Sequence, residues 1–136
     1  MKRLTLAISL SLLLMVLMGA CGRGGKVKVT EEEAEILFDT LDHDFGLVPK
    51  DSSVSWDFVF SNIGATPLRL RNVVPSCGCT LVNYPEDDIE PGEQASISVV
   101  YDSHNRRPGH FSKSIRVFSN AKTSFLRLYI TGDVEE

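Results

Sequence analysis

From residue 36 onward the apolar residues recur at every second position in short runs, and that period decides what the chain can fold into. Val54, Trp56, Phe58 and Phe60 alternate with Ser55, Asp57 and Val59, which gathers the bulk on one face of an extended segment. Similar runs follow at 68–74, 95–101, 111–118 and 125–130. Turn signals separate them: Val48-Pro49-Lys50-Asp51, Asn62-Ile63-Gly64, Glu90-Pro91-Gly92-Glu93, Arg107-Pro108-Gly109 and Ser119-Asn120-Ala121. Proline presets the φ that the second position of a turn needs, and glycine supplies positive φ after it. Short strands with turns at roughly ten-residue intervals, and no helical stretch of useful length, predict an all-β chain folded as an antiparallel β-sandwich.

The alternation predicts an inward set of Phe38, Phe45, Val54, Trp56, Phe58, Phe60, Leu68, Leu70, Ala95, Ile97, Val99, Tyr101, Phe111, Ile115, Val117, Leu126, Leu128 and Ile130. At about 1.5–3 kcal/mol for each large side chain buried, such a core holds a small domain without a disulfide or a metal.

The N-terminus reads differently. Residues 1–20 run from a basic start (Lys2, Arg3) through an apolar stretch to the small pair Gly19-Ala20. That layout predicts a cleaved signal peptide, the apolar stretch being shorter than the roughly 18–20 residues that span a bilayer. Leu17-Met18-Gly19-Ala20-Cys21 resembles the bacterial lipobox, with Met18 in place of the usual Leu. The resemblance implies that Cys21 is thioether-linked to a diacylglycerol carrying fatty acids of the palmitate type. Residues 21–35 are expected to form a flexible linker, Gly-rich at first and acidic at its end, and residues 36–136 one domain. Removing the signal takes two of the 14 Lys and Arg and none of the 18 Asp and Glu, so the formal charge moves from −4 to −6. An acidic balance argues against nucleic acid as a partner.

Several short motifs stand in order along the sandwich region: Asp44-Phe45-Gly46, Phe58 through Asn62-Ile63-Gly64, and Pro67-Leu68-Arg69-Leu70. After them come Ser76-Cys77-Gly78-Cys79-Thr80, Ile89-Glu90-Pro91-Gly92-Glu93, Val99-Val100-Tyr101-Asp102, Ser119-Asn120-Ala121 and Ile130-Thr131-Gly132-Asp133-Val134. Over roughly residues 38–134 this pattern resembles the bacterial family known as domain of unknown function 1573, related to domains of ciliary and sperm-surface proteins. The resemblance implies an immunoglobulin-like β-sandwich of about seven strands in an envelope lipoprotein, commonly of Bacteroidetes-type bacteria, and implies no reaction. It also implies an outer-membrane protein facing the periplasm, because no acidic run follows Cys21 directly. Asp39-Thr40-Leu41 resembles an O-glycosylation sequon of such bacteria, with Thr40 as acceptor.

With Cys21 assigned to lipid, Cys77 and Cys79 remain, in a compartment where disulfides persist. Residues two apart in an extended segment have α-carbons about 6.6 Å apart, at the upper edge of what a disulfide accepts, and Gly78 lets the backbone pinch. A loop of three residues gains only about 1.6 kcal/mol from cross-linking, a poor staple. A reversible, thiol-exchanging bridge is one reading. A copper or zinc site is another, with His110, and less directly His104, brought to the same end by strand pairing. Inert thiols are the third.

Other chemistry has little support. Asp87, Asp88 and Glu90 precede a Pro-Gly turn and read as a solvated loop. Asp102-Ser103-His104 holds the three triad residue types consecutively, whereas triad members converge from separate segments. The expectation is therefore a non-enzymatic, lipid-anchored binding or adaptor module that meets the membrane through its lipid and another envelope protein through its sheet edges or loops. The competing expectation is a thiol-redox or metal-handling protein centred on Cys77 and Cys79.

Overall fold

The computed structural model describes residues 33–136; the expected signal peptide, Cys21 and most of the expected linker lie outside them. Eight strands follow in order: β1 (Ile36–Phe38), β2 (Asp42–Val48), β3 (Ser53–Asn62), β4 (Leu70–Pro75), β5 (Thr80–Asn83), β6 (Gln94–Asp102), β7 (Gly109–Ser119) and β8 (Phe125–Val134). They form two four-stranded sheets, β1-β3-β6-β5 and β2-β8-β7-β4, packed as a sandwich with immunoglobulin-like connectivity.

The extra strand and one parallel pairing have a common origin. β1 pairs antiparallel with β3, Phe38 lying opposite Phe60. The chain then crosses to the other sheet instead of folding back, and β2 runs parallel to β8, from Asp42 opposite Tyr129 to Val48 opposite Val134. A bulge between Asp44 and Leu47 shifts the register, where Gly46 has φ +65°. Every other strand pair is antiparallel.

Phe58, Phe60, Ile97, Val99 and Tyr101 from one sheet meet Ile115, Val117, Leu128 and Ile130 from the other, all buried. Tyr101 stacks on Phe111 across the interface, with centroids 3.9 Å apart and planes 11° from parallel. The predicted alternation holds through β3, β6, β7 and β8. Trp56 is the exception: it is 38% exposed. It lies beyond the three residues that β1 covers, so one side of its strand has no neighbour, and His43 from β2 covers the indole instead. Phe45, Val54, Ala95 and Leu126 are likewise only partly buried, at the margins of the core.

The domain also begins earlier than its hydrophobic period. Residues 33–35, expected to be linker, pack against the loop after β3. Ala34 is buried, the Ala65 and Ile63 N–H groups donate to the Glu33 and Glu35 carbonyls, and the Lys122 N–H donates to Ala34. Gly64 makes this approach possible, since a β-carbon there would stand 2.3 Å from the Glu35 nitrogen. Asn62, fully buried, ties the junction together. Its Nδ2 donates to the carbonyls of Thr66 (2.8 Å) and Ile89 (2.9 Å), and its Oδ1 accepts from the Gly64 and Glu35 N–H groups. Downstream, Glu90-Pro91-Gly92-Glu93 closes as expected, with the Glu93 N–H on the Glu90 carbonyl and Gly92 at φ +84°.

Candidate functional site

Cys77 and Cys79 occupy the crossover that carries the chain from β4, in one sheet, to β5, in the other. The Thr80 N–H donates to the Cys77 carbonyl and closes a turn over Cys77-Gly78-Cys79-Thr80. The two cysteines are joined in a disulfide, with α-carbons 5.2 Å apart. That separation is shorter than extended backbone allows, so the pinch anticipated at Gly78 is present. The two sulphurs have unequal surroundings. Cys79 is buried in the core, with the Thr80 hydroxyl 3.8 Å from its sulphur, whereas Cys77 is half-buried. The Cys79 N–H donates to Cys77 Sγ at 3.1 Å. Gly78 is exposed, and a β-carbon built on it meets nothing within 4 Å.

His110 does not join them. It lies at the same end of the sandwich, as strand pairing implies, but it points outward because its neighbour Phe111 fills the core. Its Nδ1 faces Asp133 Oδ1 at 3.4 Å. Cys77 and Cys79 turn toward the core, so alternation along β7 sends the imidazole the other way. His104 pairs instead with Asp102, at 2.6 Å. Backbone and ring hydrogen bonds from His104 hold the Asp102 carboxyl below the usual carboxylate range. Among the described residues no group of three His, Cys, Asp or Glu is placed to hold a metal ion. Ser103 is buried among the Pro49 and Ser52 carbonyls and accepts the Ser52 N–H, so its hydroxyl anchors a loop. Thr40 stands at the crossover between β1 and β2, half-exposed, its hydroxyl donating to the Asp42 carbonyl.

A second feature was not read from the sequence. The outer face of the β2-β8-β7-β4 sheet carries an aromatic and basic patch on its two central strands. Phe118 lies opposite Phe125, their centroids 5.1 Å apart, and Arg116 lies directly opposite Arg127. The Arg127 guanidinium stands 5.4 Å from the Phe125 centroid, and Tyr129 continues the row, 42% exposed. Among the described residues neither arginine forms an ion pair; the arginine that does is Arg69, with Asp88 at 2.6 Å. Like charges directly opposite each other cost stability, and in an acidic chain the pair is conspicuous. The signal was available: Arg116 and Phe118, like Phe125, Arg127 and Tyr129, fall on the outward parity of their strands.

At the sandwich margin His43 stacks on Trp56, with centroids 3.7 Å apart and planes 7° from parallel, and Phe45 meets the imidazole edge-on. Burial lowers the His43 pKa from its usual 6.5, against a smaller opposing pull from Asp44.

Solved structures share this fold at low sequence identity. A protein of unknown function from Porphyromonas gingivalis W83 superposes with a TM-score of 0.65 at 15% identity, over 75% of this chain and 47% of that one. The PapD-like domain 7 of human CEP192 gives 0.60 at 12% identity, over 85% and 97% respectively. The YadV chaperone gives 0.56 at 14% identity, over 75% and 53%. The chain thus spans about half the length of the first and third of these proteins. Among curated protein sequences none matches it significantly. The family described as "Protein of unknown function (DUF1573)" matches residues 36–134, which is most of the chain and all eight strands, and the chain belongs to that family.

Proposed function

We propose that this chain is a non-enzymatic binding module of the bacterial cell envelope, anchored to a membrane by lipid on Cys21 and docking on another envelope protein. The observation that carries the docking is the outer patch of Arg116, Arg127, Phe118, Phe125 and Tyr129, where two guanidinium groups that form no ion pair among the described residues flank the exposed rings of Phe125 and Tyr129 and the half-buried ring of Phe118. Aromatic and arginine side chains are enriched at interaction hot spots, and the opposed arginines gain most from a carboxylate-bearing partner. The likeness to a chaperone and to a PapD-like domain accords with a sandwich used for binding. The anchoring rests on the lipobox-like run ending at Cys21, and outer-membrane placement facing the periplasm on the residues that follow it.

Chemical cross-linking of the full chain in envelope preparations, with an Arg116→Glu, Arg127→Glu double variant in parallel, tests the docking. The expected result is a defined adduct with the native chain, reduced about tenfold or more in the variant; equal yields exclude this face. For the anchor, labelled palmitate is expected in the native chain and not in Cys21→Ser, and a Cys21→Ser chain that retains label or remains in the membrane fraction counts against it.

A further inference from the structure

We infer that the Cys77–Cys79 bridge is a thiol–disulfide exchange site, that Cys77 is the sulphur that exchanges, and that its substrate is the cysteine pair of another envelope protein. The cross-link closes only three residues, and the core around it draws large side chains from both sheets, so holding the fold together is a poor explanation for it. Three features of the turn support exchange and assign the roles.

Access is one-sided. Cys77 is half-buried and Cys79 is buried, so an incoming sulphur reaches Cys77. Stabilisation favours the same atom: the Cys79 N–H points at Cys77 Sγ from 3.1 Å, and a hydrogen bond to a sulphur favours its thiolate. Cys79, by contrast, lies in the core, placed to attack Cys77 from within and not to meet a partner first. Finally, Gly78 leaves the outer side of the turn bare, with space for another backbone to approach.

The reaction balances in two steps. In the reduced chain the Cys77 thiolate attacks one sulphur of the partner's disulfide, forming a mixed disulfide and releasing one partner thiolate. Cys79, losing its proton, then attacks Cys77 Sγ, breaks the mixed disulfide, forms the Cys77–Cys79 bond and expels the second partner thiolate. Two electrons pass to the partner, whose two thiolates take up the two protons that Cys77 and Cys79 release. The reverse sequence oxidises a partner dithiol. The structure represents the oxidised form.

The test uses the full-length chain carrying Cys21→Ser, so that Cys77 and Cys79 are its only thiols. Dithiothreitol is expected to reduce the folded chain with its cooperative thermal unfolding retained. With glutathione disulfide as probe, the Cys79→Ser variant is expected to accumulate a stable adduct on Cys77 about ten times faster than the Cys77→Ser variant does on Cys79. Gly78→Val, at a position where an added β-carbon meets nothing within 4 Å, is expected to fold normally and to slow exchange with a protein dithiol more than with glutathione. Equal adduct rates in the two single variants, a bridge that resists dithiothreitol until the chain is denatured, or unfolding upon reduction each overturns the inference. If Cys77→Ser, Cys79→Ser is cross-linked to the same partner as the native chain, docking stands apart from the redox site; failure of exchange leaves the docking face unaffected.

Discussion

At the scale of single residues, parity along a strand says which face a side chain takes, but not whether anything covers it. Trp56 shares the inward face with Phe58 and Phe60, yet it is exposed because β1 ends after three residues and the covering group, His43, belongs to the other sheet. That substitution of an imidazole for a strand neighbour makes the pair pH-sensitive. Folding lowers the His43 pKa below 6.5 through burial, so as pH falls through about 6.5 the unfolded chain takes up the proton first. Stability therefore declines through this window and levels off once the folded imidazole is itself protonated. Trp56 is the only tryptophan of the chain, and its emission is expected to titrate with a midpoint below 6.5. A His43→Gln variant is expected to remove both the titration and the stability change. The same parity argument accounts for His110: the sequence places it at the correct end, and alternation then turns it away from the cysteines.

Among the elements, β7 and β8 were legible as strands from their period, but the patch on their outer face depends on register, which the sequence does not state. Only once Val117 is paired with Leu126 does Arg116 fall opposite Arg127 and Phe118 opposite Phe125. Replacing Arg116 by Glu converts a like-charge pair into an opposite-charge one at a central position of the sheet. The variant is expected to be more stable than the native chain by about 0.2–1 kcal/mol, read as a higher midpoint in urea with unchanged slope. It is also expected to lose cross-linking to its partner, so that stability and docking move in opposite directions.

For the whole molecule, the fold class and the turn at Glu90-Pro91-Gly92-Glu93 follow from period and turn chemistry. The crossing of the chain between β1 and β2, and the inclusion of residues 33–35, do not, because both depend on backbone contacts with distant segments. Asn62 is the clearest of these: one buried amide joins the N-terminal residues, the loop after β3 and the segment at Ile89. Truncating it to Ala leaves the Thr66 carbonyl and the Gly64 and Glu35 N–H groups without this partner, while the Ile89 carbonyl keeps the Leu68 N–H. A loss of about 2–4 kcal/mol is expected, seen as a fall of roughly 10–20 °C in thermal midpoint for a domain of this size. Asn62→Asp, which sets a buried carboxylate against the Thr66 and Ile89 carbonyls, is expected to lose at least as much as Asn62→Ala at neutral pH.

The parallel alignment of β2 with β8 carries a mechanical consequence. A load applied between the beginning and the end of the domain is met first by β1 on β3, and once β1 yields it pulls β2 from its first residue and β8 from its last, in opposite directions along neighbouring strands. The hydrogen bonds from Asp42 to Val48 then bear the load together in shear, instead of opening one after another as a hairpin does when peeled. Traction between the two ends of the domain therefore meets a shear clamp and not a peeling hairpin.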